Sequence, residues 1–203
     1  LEIDPQEIVC GEDDAKTAPT VILVEPRDVP LGGVRAMTVR RTLPSRVRRT
    51  IGAWCILDHY GPDNVETSGG MLVPPHPPTG LQTVSWLFRG EIEHRDSLGS
   101  HQLIEPGELN LMTAGRGIAH SEVSTTRDAV LHCVQLWSVL PESKRDIAPS
   151  FSHTVATPVD VHAGVGTAQV LVFIGELAGV RADAQGVTPI VGAELVLPPF
   201  GEV

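Results

Sequence analysis

Several short stretches of the chain alternate apolar and polar residues with a period of two, which is typical of a half-buried β-strand. In the stretch 81–88, Gln82, Val84 and Trp86 fall on one face and the residues between them fall on the other. This pattern and a few short apolar runs predict strands at 21–24, 34–43, 51–57, 81–88, 91–96, 109–113, 130–140, 169–176 and 190–197. Glycine and proline predict a turn at 58–62, directly after the strand at 51–57. The chain is therefore predicted to be all-β.

Composition supports this fold class and narrows the function. The chain of 203 residues has 20 glycines and 17 prolines but only one Tyr and four Phe, which suits short strands joined by tight turns. Its net charge of −10, from 15 basic and 25 acidic side chains, argues against binding to nucleic acid or to an anionic membrane surface. No apolar run approaches the roughly 20 residues that cross a bilayer, and no signal-like leader opens the chain. We therefore expect a soluble, cytoplasmic protein.

The three cysteines do not suggest a disulfide framework or a structural zinc site. Cys10, Cys55 and Cys133 are far apart, odd in number and without a CxxC spacing. Cys55 and Cys133 fall in apolar predicted strands, and we interpret both as small buried residues.

Candidate metal-binding chemistry lies between positions 76 and 122. His76 stands among four prolines, which fix φ and stiffen its approach. His120 and Glu122 are two residues apart, so in a strand their side chains point to the same face. Imidazole and carboxylate together suit a divalent ion such as iron, nickel, manganese or zinc. The sequence therefore predicts a metal site at His120 and Glu122.

A set of sequence motifs extends from about residue 29 to residue 140. The motifs are VPLGG (29–33), VRRTLP (39–44), DHYGP (58–62), GEIEHRDS (90–97), PGE (106–108) and MTAG (112–115) leading to HSE (120–122). They resemble the pirin family of cupins. The likeness is fainter after residue 140 and absent before about residue 21.

The resemblance implies a cupin fold, a jelly-roll-like antiparallel β-barrel. Residues 1–20 are acidic and lack periodicity, and we expect a flexible arm there. Pirins carry two such barrels, so we expect a complete first barrel at 21–140, a linker at 141–150 and the opening strands of a second, partial barrel at 151–203. The chain has too few residues after 150 for a second closed barrel. Either the chain is truncated, or these strands complete the first barrel or pair with another subunit; exposed sheet edges favour a homodimer.

The resemblance also implies a ligand set. Pirins hold a metal with a His-Pro-His triplet and a later His-x-Glu, and the matching positions here are His76, His120 and Glu122. Pro78 stands where the second histidine should be, and proline has no donor atom for a metal. The implied cofactor is Fe(II), with Ni, Mn, Cu or Zn as alternatives, and the loss at position 78 leaves a metal-free protein as a further alternative. The family's Phe-Glu-Thr reads Leu81–Gln82–Thr83 here, which we interpret as a second lost carboxylate facing the site.

Two more histidines lie near this region. His94 and His101 are candidates for an extra ligand if Pro78 has removed one. The charged neighbours of His94 and the turn around His101 favour another interpretation, in which both are exposed residues or residues that only support the ligands.

Two functions follow from the resemblance. The first is a quercetin 2,3-dioxygenase-type oxygenase with a weakened metal site, in which a flavonol binds the metal and Glu122 accepts the proton of its hydroxyl group. The second is a regulatory protein, metal-tuned or metal-free, that binds a protein partner. A scaffold without metal or activity is the third alternative, because Pro78 and Gln82 remove two polar groups from the implied site.

Overall fold

The computed structural model describes residues 22–31 and 37–200, and nearly all of its regular structure is β-strand. The predicted acidic arm at 1–20 lies outside the described residues. The strand predicted at 21–24 is wrong where it is described, because residues 22–26 have no regular structure and the first strand begins at Arg27. The first ten strands are β1 (Arg27–Leu31), β2 (Met37–Leu43), β3 (Trp54–Asn64), β4 (Leu72–His76), β5 (Leu81–Arg89), β6 (Ile92–Asp96), β7 (His101–Ile104), β8 (Glu108–Thr113), β9 (His120–Ser124) and β10 (Val130–Val139). They are followed by β11 (Ser150–Val155), β12 (Val159–His162), β13 (Thr167–Ile174), β14 (Glu176–Leu177), β15 (Val180–Arg181) and β16 (Gly192–Val196). One short helix, α1 (Val65–Ser68), and a 3₁₀ turn at Glu142–Lys144 complete the elements. The all-β prediction is confirmed.

Two antiparallel sheets form the main body. One has seven strands in the order β1-β2-β3-β10-β5-β8-β11, and the other has four in the order β4-β9-β6-β7. Strand β10 lies between β3 and β5 in the larger sheet. The smaller sheet carries the segments with histidine and glutamate, so its inner face decides where the candidate ligands lie.

The segment 58–62, which contains aspartate, glycine and proline and reads as a turn, lies inside the 11-residue strand β3. The strand continues through it because Gly61 adopts φ 69°, and the pairing with β10 shifts register between Leu131 and Cys133. A Cβ at Gly61 would lie 2.1 Å from the carbonyl oxygen of Leu131. The glycine therefore allows a bulge in a long strand and does not end it.

Apolar residues from both sheets meet between them and form the inner core. Tyr60, Leu87 and Cys133 come from the larger sheet and Ile92 from the smaller one. Burial of Cys133 is as predicted, whereas Cys55 is only half-buried. The remaining members of this core are Val39, Val65, Met71, Val73, Ile104 and Leu131.

The C-terminal strands cover the outer face of the larger sheet. Strand β11 first extends that sheet by pairing with β8. Strands β12, β13 and β16 then form a separate three-stranded sheet, and β14 and β15 form a hairpin. The indole of Trp86 stacks on Phe173 with ring centroids 4.6 Å apart and donates from Nε1 to Glu194 at 2.7 Å. One apolar cluster contains residues of the larger sheet and of the C-terminal region: Val84, Trp86, Leu109, Leu111, Phe173, Ile174, Ala184 and Ile190.

Within the ranges 22–31 and 37–200, the one α-helix is a single turn, and no helix has the length and apolar character to cross a membrane.

Candidate metal centre

The register of the four-stranded sheet brings the histidines and the glutamate side by side. On one side of β9, His120 pairs with His76 of β4. On the other side, His120 pairs with Asp96 of β6 and Glu122 pairs with His94. Directly opposed residues of an antiparallel pair share a face, as do residues two apart on one strand. These five side chains therefore belong to one face of the sheet.

Three of them lie close enough to hold one ion. His94, His120 and Glu122 each offer a ligand atom, and these atoms lie within 4.8 Å of one another. All three residues are buried. Of the three ligands that the sequence predicts, the structure thus brings His120 and Glu122 together, with His94 as the third member of the group.

His76 lies beside this group and is not a member of it. Its ring centroid is 4.5 Å from that of His120, and its Nδ1 lies 3.0 Å from the carbonyl oxygen of Pro74. The residue is half-buried. His76 therefore lies at the outer side of the buried group, against His120.

His120 has an unusual environment for a buried polar side chain. It is 2% exposed, yet neither Nδ1 nor Nε2 has a hydrogen-bond partner. Burial lowers the pKa of His120 to about 4, and the nearby His76 and His94 rings add to this effect, while Glu122 and Asp96 oppose it. The imidazole is therefore neutral at pH 7 and has a lone pair for a ligand. Because buried polar atoms normally have partners, two unpartnered nitrogens indicate a group that binds there.

Glu122 is held from both sides by neutral donors of the larger sheet. Ser85 Oγ donates to its Oε1 at 2.9 Å, and Gln135 Nε2 donates to its Oε2 at 2.8 Å. The hydroxyl of Tyr60 donates in turn to Oε1 of Gln135 at 2.9 Å. A carboxylate oxygen has room for a second interaction besides one hydrogen bond. The network thus fixes the orientation of Glu122 and still leaves it able to bind a cation.

The interpretation of His94 as an exposed residue is wrong. His94 is 2% exposed, its ring stacks on Phe151 of β11 with centroids 4.4 Å apart, and its Nε2 lies 3.1 Å from Oδ2 of Asp96. Burial opposes ionisation of Asp96, but hydrogen bonds from His94, Ser100 and nearby backbone amides lower the pKa of this carboxyl group. His101, in contrast, is exposed and pairs with Glu93.

The interpretation of Gln82 as a residue facing the site is also wrong. Its Nε2 donates to Thr113 Oγ1 at 2.8 Å, and its Oε1 accepts from the backbone N–H of Val187 at 2.8 Å. Gln82 shares its face of β5 with Trp86, which packs under the C-terminal strands. The amide at position 82 therefore connects the larger sheet to the C-terminal strands and has no contact with the metal-binding group.

The free space around His120 and Glu122 is small between the two sheets and larger at the protein surface. Between the sheets, a cavity of about 10 Å³ lies beside Glu122 and Tyr60, which is room for about one water molecule. At the surface, a depression of about 270 Å³ reaches His120 and is bordered by Arg95 and Asp96. A ligand larger than water would therefore approach His120 from this depression.

Sequence reasoning missed Ser85, Gln135, Tyr60 and Asp96 as members of the site. The signal for Gln135 was present, because Leu131, Cys133 and Gln135 alternate along one strand and the first two are inner-core residues. Ser85 likewise alternates with the buried Leu87. For Ser85 and Gln135, period-two alternation predicts which face of the strand the side chain lies on. Only the fold shows that Glu122 lies opposite that face.

Two antiparallel sheets packed face to face, with a buried His/His/Glu group between them, define a cupin-type barrel. A family model described as Pirin matches residues 34–138, which is half of the chain, and the chain belongs to the pirin family.

Similar proteins agree with this assignment. A protein of Pseudomonas aeruginosa named "Putative quercetin 2,3-dioxygenase" is 48% identical over 172 residues, 85% of this chain and 53% of its own length. A pirin-like protein of Caulobacter vibrioides is 36% identical over 166 residues, 79% of this chain and 58% of its own length. The crystal structure of a quercetin 2,3-dioxygenase from Acinetobacter baumannii matches 85% of this chain and 56% of its own chain, with 40% identity and a TM-score of 0.78. The chain thus spans little more than half the length of these relatives.

Proposed function

We propose that this chain is the metal-binding part of a quercetin 2,3-dioxygenase-type oxygenase, with the metal bound at His120 and Glu122 and the neighbouring imidazoles. The observation that carries the proposal is the buried, neutral His120 with both ring nitrogens unpartnered, opposite a carboxylate that the fold holds in place. The names of the relatives from Pseudomonas and Acinetobacter support the choice of reaction.

The donor set fits a first-row divalent metal. Two imidazoles and one carboxylate are the donors of the facial set used by non-heme Fe(II) oxygenases, which leaves positions for other ligands. When bound, such a metal would supply Lewis acidity and open positions for the flavonol oxygens and O₂. Fe(II) is the ion we propose, with Ni, Mn, Cu and Zn as ions that the same donors accept.

We assign to Glu122 the role of proton acceptor. It is the carboxylate of the group, and hydrogen bonds from Ser85 and Gln135 hold its two oxygens in a fixed direction. A general base must reach the hydroxyl of the substrate within hydrogen-bond distance. A flavonol hydroxyl that approaches His120 from the surface depression would meet Glu122 on the same face of β9.

The test is metal content followed by turnover. The 203-residue chain is reconstituted with Fe(II) under anaerobic conditions, dialysed against a mild chelator and analysed for metal per chain. Near-stoichiometric iron is expected, and Glu122→Gln should lower it, whereas Glu108→Gln, a carboxylate remote from the group, should not. The loaded protein is then mixed with quercetin and O₂, and loss of flavonol absorption with matching O₂ uptake is expected. A protein that takes up no metal would contradict the proposal.

A second function is favoured by two observations. Pro78 supplies no ligand where pirins have a histidine, and the inner cavity of about 10 Å³ excludes any flavonol from the space between the sheets. Both suit a regulatory protein that binds a protein partner and whose metal tunes that surface. Near-stoichiometric metal without flavonol turnover would favour this function over the oxygenase.

A further inference from the structure

We propose that His94 supplies the imidazole ligand that Pro78 cannot, so that the metal is bound by His94, His120 and Glu122. This inference rests on the proposed metal centre and adds the identity of its third ligand. The resemblance to pirins assigns the corresponding imidazole to position 78, and it assigns no ligand to position 94.

The position of His94 in the sheet carries the first part of the argument. His94 lies directly opposite Glu122 in the pairing of β6 with β9, so both side chains point to the same side. Its ring centroid is 5.4 Å from that of His120, and the ligand atoms of all three residues lie within 4.8 Å of one another. A small inward movement of the side chains onto an ion would complete the set.

The groups around the His94 ring also support its role as a ligand. Metal-binding histidines commonly donate their other ring N–H to a carboxylate, which fixes the tautomer and the direction of the ring. Asp96 lies 3.1 Å from Nε2 of His94, and this contact assigns Nδ1 to the metal. Phe151 stacks on the ring with an interplanar angle of 16° and restricts its rotation. His94 is thus held in one orientation before any ion binds.

A purely structural role would account for the contacts of His94 but not for the unpartnered nitrogens of its neighbour, His120. A buried histidine bonded to Asp96 and stacked on Phe151 needs no further partner. His120, 5.4 Å away, has two nitrogens without partners, and the side chains around it are those of His76, His94, Asp96 and Glu122. An ion shared by His94, His120 and Glu122 gives a partner to a nitrogen of His120 and balances the charge of Glu122.

The experiment measures metal affinity without turnover. Wild-type protein and variants, all metal-free, are titrated anaerobically with Co(II), whose visible absorption reports the ligand set, and competition with a chelator gives the affinity. The key variant is His94→Phe, because phenylalanine keeps the stacking on Phe151 and removes both nitrogens. His101→Phe, an exposed histidine of the same sheet, is the matched control. Circular dichroism and thermal unfolding of each metal-free variant verify the fold.

Loss of a partner that only orients a ligand lowers metal affinity by about 10–100-fold. We expect His94→Phe, which removes a ligand, to weaken Co(II) binding by more than this. Asp96→Asn should fall within that smaller range, and His101→Phe should bind as wild type does. In the double variant that combines His94→Phe with Pro78→His, we expect affinity to return to within about tenfold of wild type, because the imidazole would return at the position used by other pirins.

The outcomes separate this inference from the proposed function. If His94→Phe binds Co(II) as wild type does, with an unchanged spectrum, while His120→Ala does not bind it, His94 is not a ligand and the centre at His120 and Glu122 stands. If His120→Ala also keeps the affinity and spectrum of wild type, both the inference and the proposed centre are wrong.

Discussion

The side chains on the two faces of strand β5 contact different parts of the protein. On the inner face, Ser85 donates to the candidate ligand Glu122, and Leu87 packs in the core between the sheets. On the outer face, Trp86 stacks under Phe173 of the C-terminal strands, and Gln82 binds the backbone of Val187. One face supports a polar site, and the other attaches the second part of the chain.

The comparison shows that the two departures from the pirin pattern have different meanings. Pro78 lies two residues after His76, whose ring contacts His120. Gln82 lies on the outer face of β5 and makes two hydrogen bonds there. The sequence suggests that both changes are losses from one site. Since Gln82 lies on the face of β5 opposite to Ser85, which donates to Glu122, we expect only the change at position 78 to bear on metal binding.

The largest effect is expected from Trp86→Ala on the outer face. Trp86 is fully buried, and its removal should lower the free energy of unfolding by about 3–5 kcal/mol. Urea unfolding followed by intrinsic fluorescence of the remaining tryptophans and by circular dichroism measures it. Phe88→Ala, on the same face but 38% exposed, is the control and should cost clearly less. Loss of metal affinity in a Trp86→Ala protein that remains folded would mean that the two faces are not independent.

On the inner face, Gln135→Met should act mainly on the metal. Methionine has a similar volume but cannot donate to Glu122, so we expect metal affinity to fall about 10–100-fold. Chelator competition measures the affinity. Ser138→Ala is the control, because Ser138 is buried on the same strand and its hydroxyl has no hydrogen-bond partner. Equal affinity in Gln135→Met and wild type would show that Glu122 needs no support from β10.

A carboxylate that directly precedes β6 and lies outside the centre should affect stability and not metal binding. Glu91 accepts from Thr125 Oγ1 at 2.6 Å and from Arg127 at 2.7 Å. Glu91→Gln should cost about 1–2 kcal/mol at pH 7, because both hydrogen bonds would lose the charge of their acceptor. Urea unfolding measures this cost, and Glu105→Gln, a more exposed partner of Arg127, should cost less.

The cost of Glu91→Gln should depend on pH. The hydrogen bond from Thr125, together with Arg127, lowers the pKa of Glu91 below its ordinary value of 4.5 in the folded protein, although burial opposes this. A lowered folded-state pKa stabilises the fold above pH 4.5, and this contribution is lost as the pH falls through the lower, folded-state value. The difference between Glu91→Gln and wild type should therefore shrink below pH 4.5. A difference that grew on acidification would contradict this origin.

The smallest effect on metal binding is expected from Gln82→Glu, which restores the residue typical of pirins. A carboxylate can accept from both Thr113 Oγ1 and the N–H of Val187, but position 82 is buried, so desolvation of the charge should lower stability by about 1–3 kcal/mol. Metal affinity should equal that of wild type, because the side chain lies on the outer face. Gln82→Leu serves as the comparison and should be less stable, since it leaves the N–H of Val187 without a partner. An increase in metal affinity in Gln82→Glu would place residue 82 back at the metal centre.

Period-two patterns predict strands that overlap β2, β3, β5, β6, β8, β10, β13 and β16. They also predict the shared face of His120 and Glu122, because both depend on residues near in sequence. The same reasoning failed at segment 58–62, where glycine and proline suggested a turn. A bulge opposite Leu131 and Cys133 keeps that segment in strand β3, and the bulge depends on a strand about 70 residues away in the sequence.

The third member of the metal-binding group could not be chosen from the sequence, in which His94 is one of two candidates to replace the ligand missing at position 78. His94 lies between charged residues, which suggested exposure, but Phe151 covers its ring and Glu122 lies opposite it. Both contacts depend on sheet register and on the course of β11. The assignment of Gln82 failed for a related reason, because the sequence did not show which face of β5 points to the site.

Strand β11 determines what a cut in the loop before it would do to the protein. The strand pairs with β8 along Ser150–Val155 and places Phe151 on His94, while the exposed residues from Glu142 to Asp146 precede it. A protease that cuts in this exposed segment would therefore produce two fragments that stay associated and comigrate on gel filtration. Expressed separately, the same fragments should assemble when mixed, and neither would carry the complete surroundings of His94 by itself.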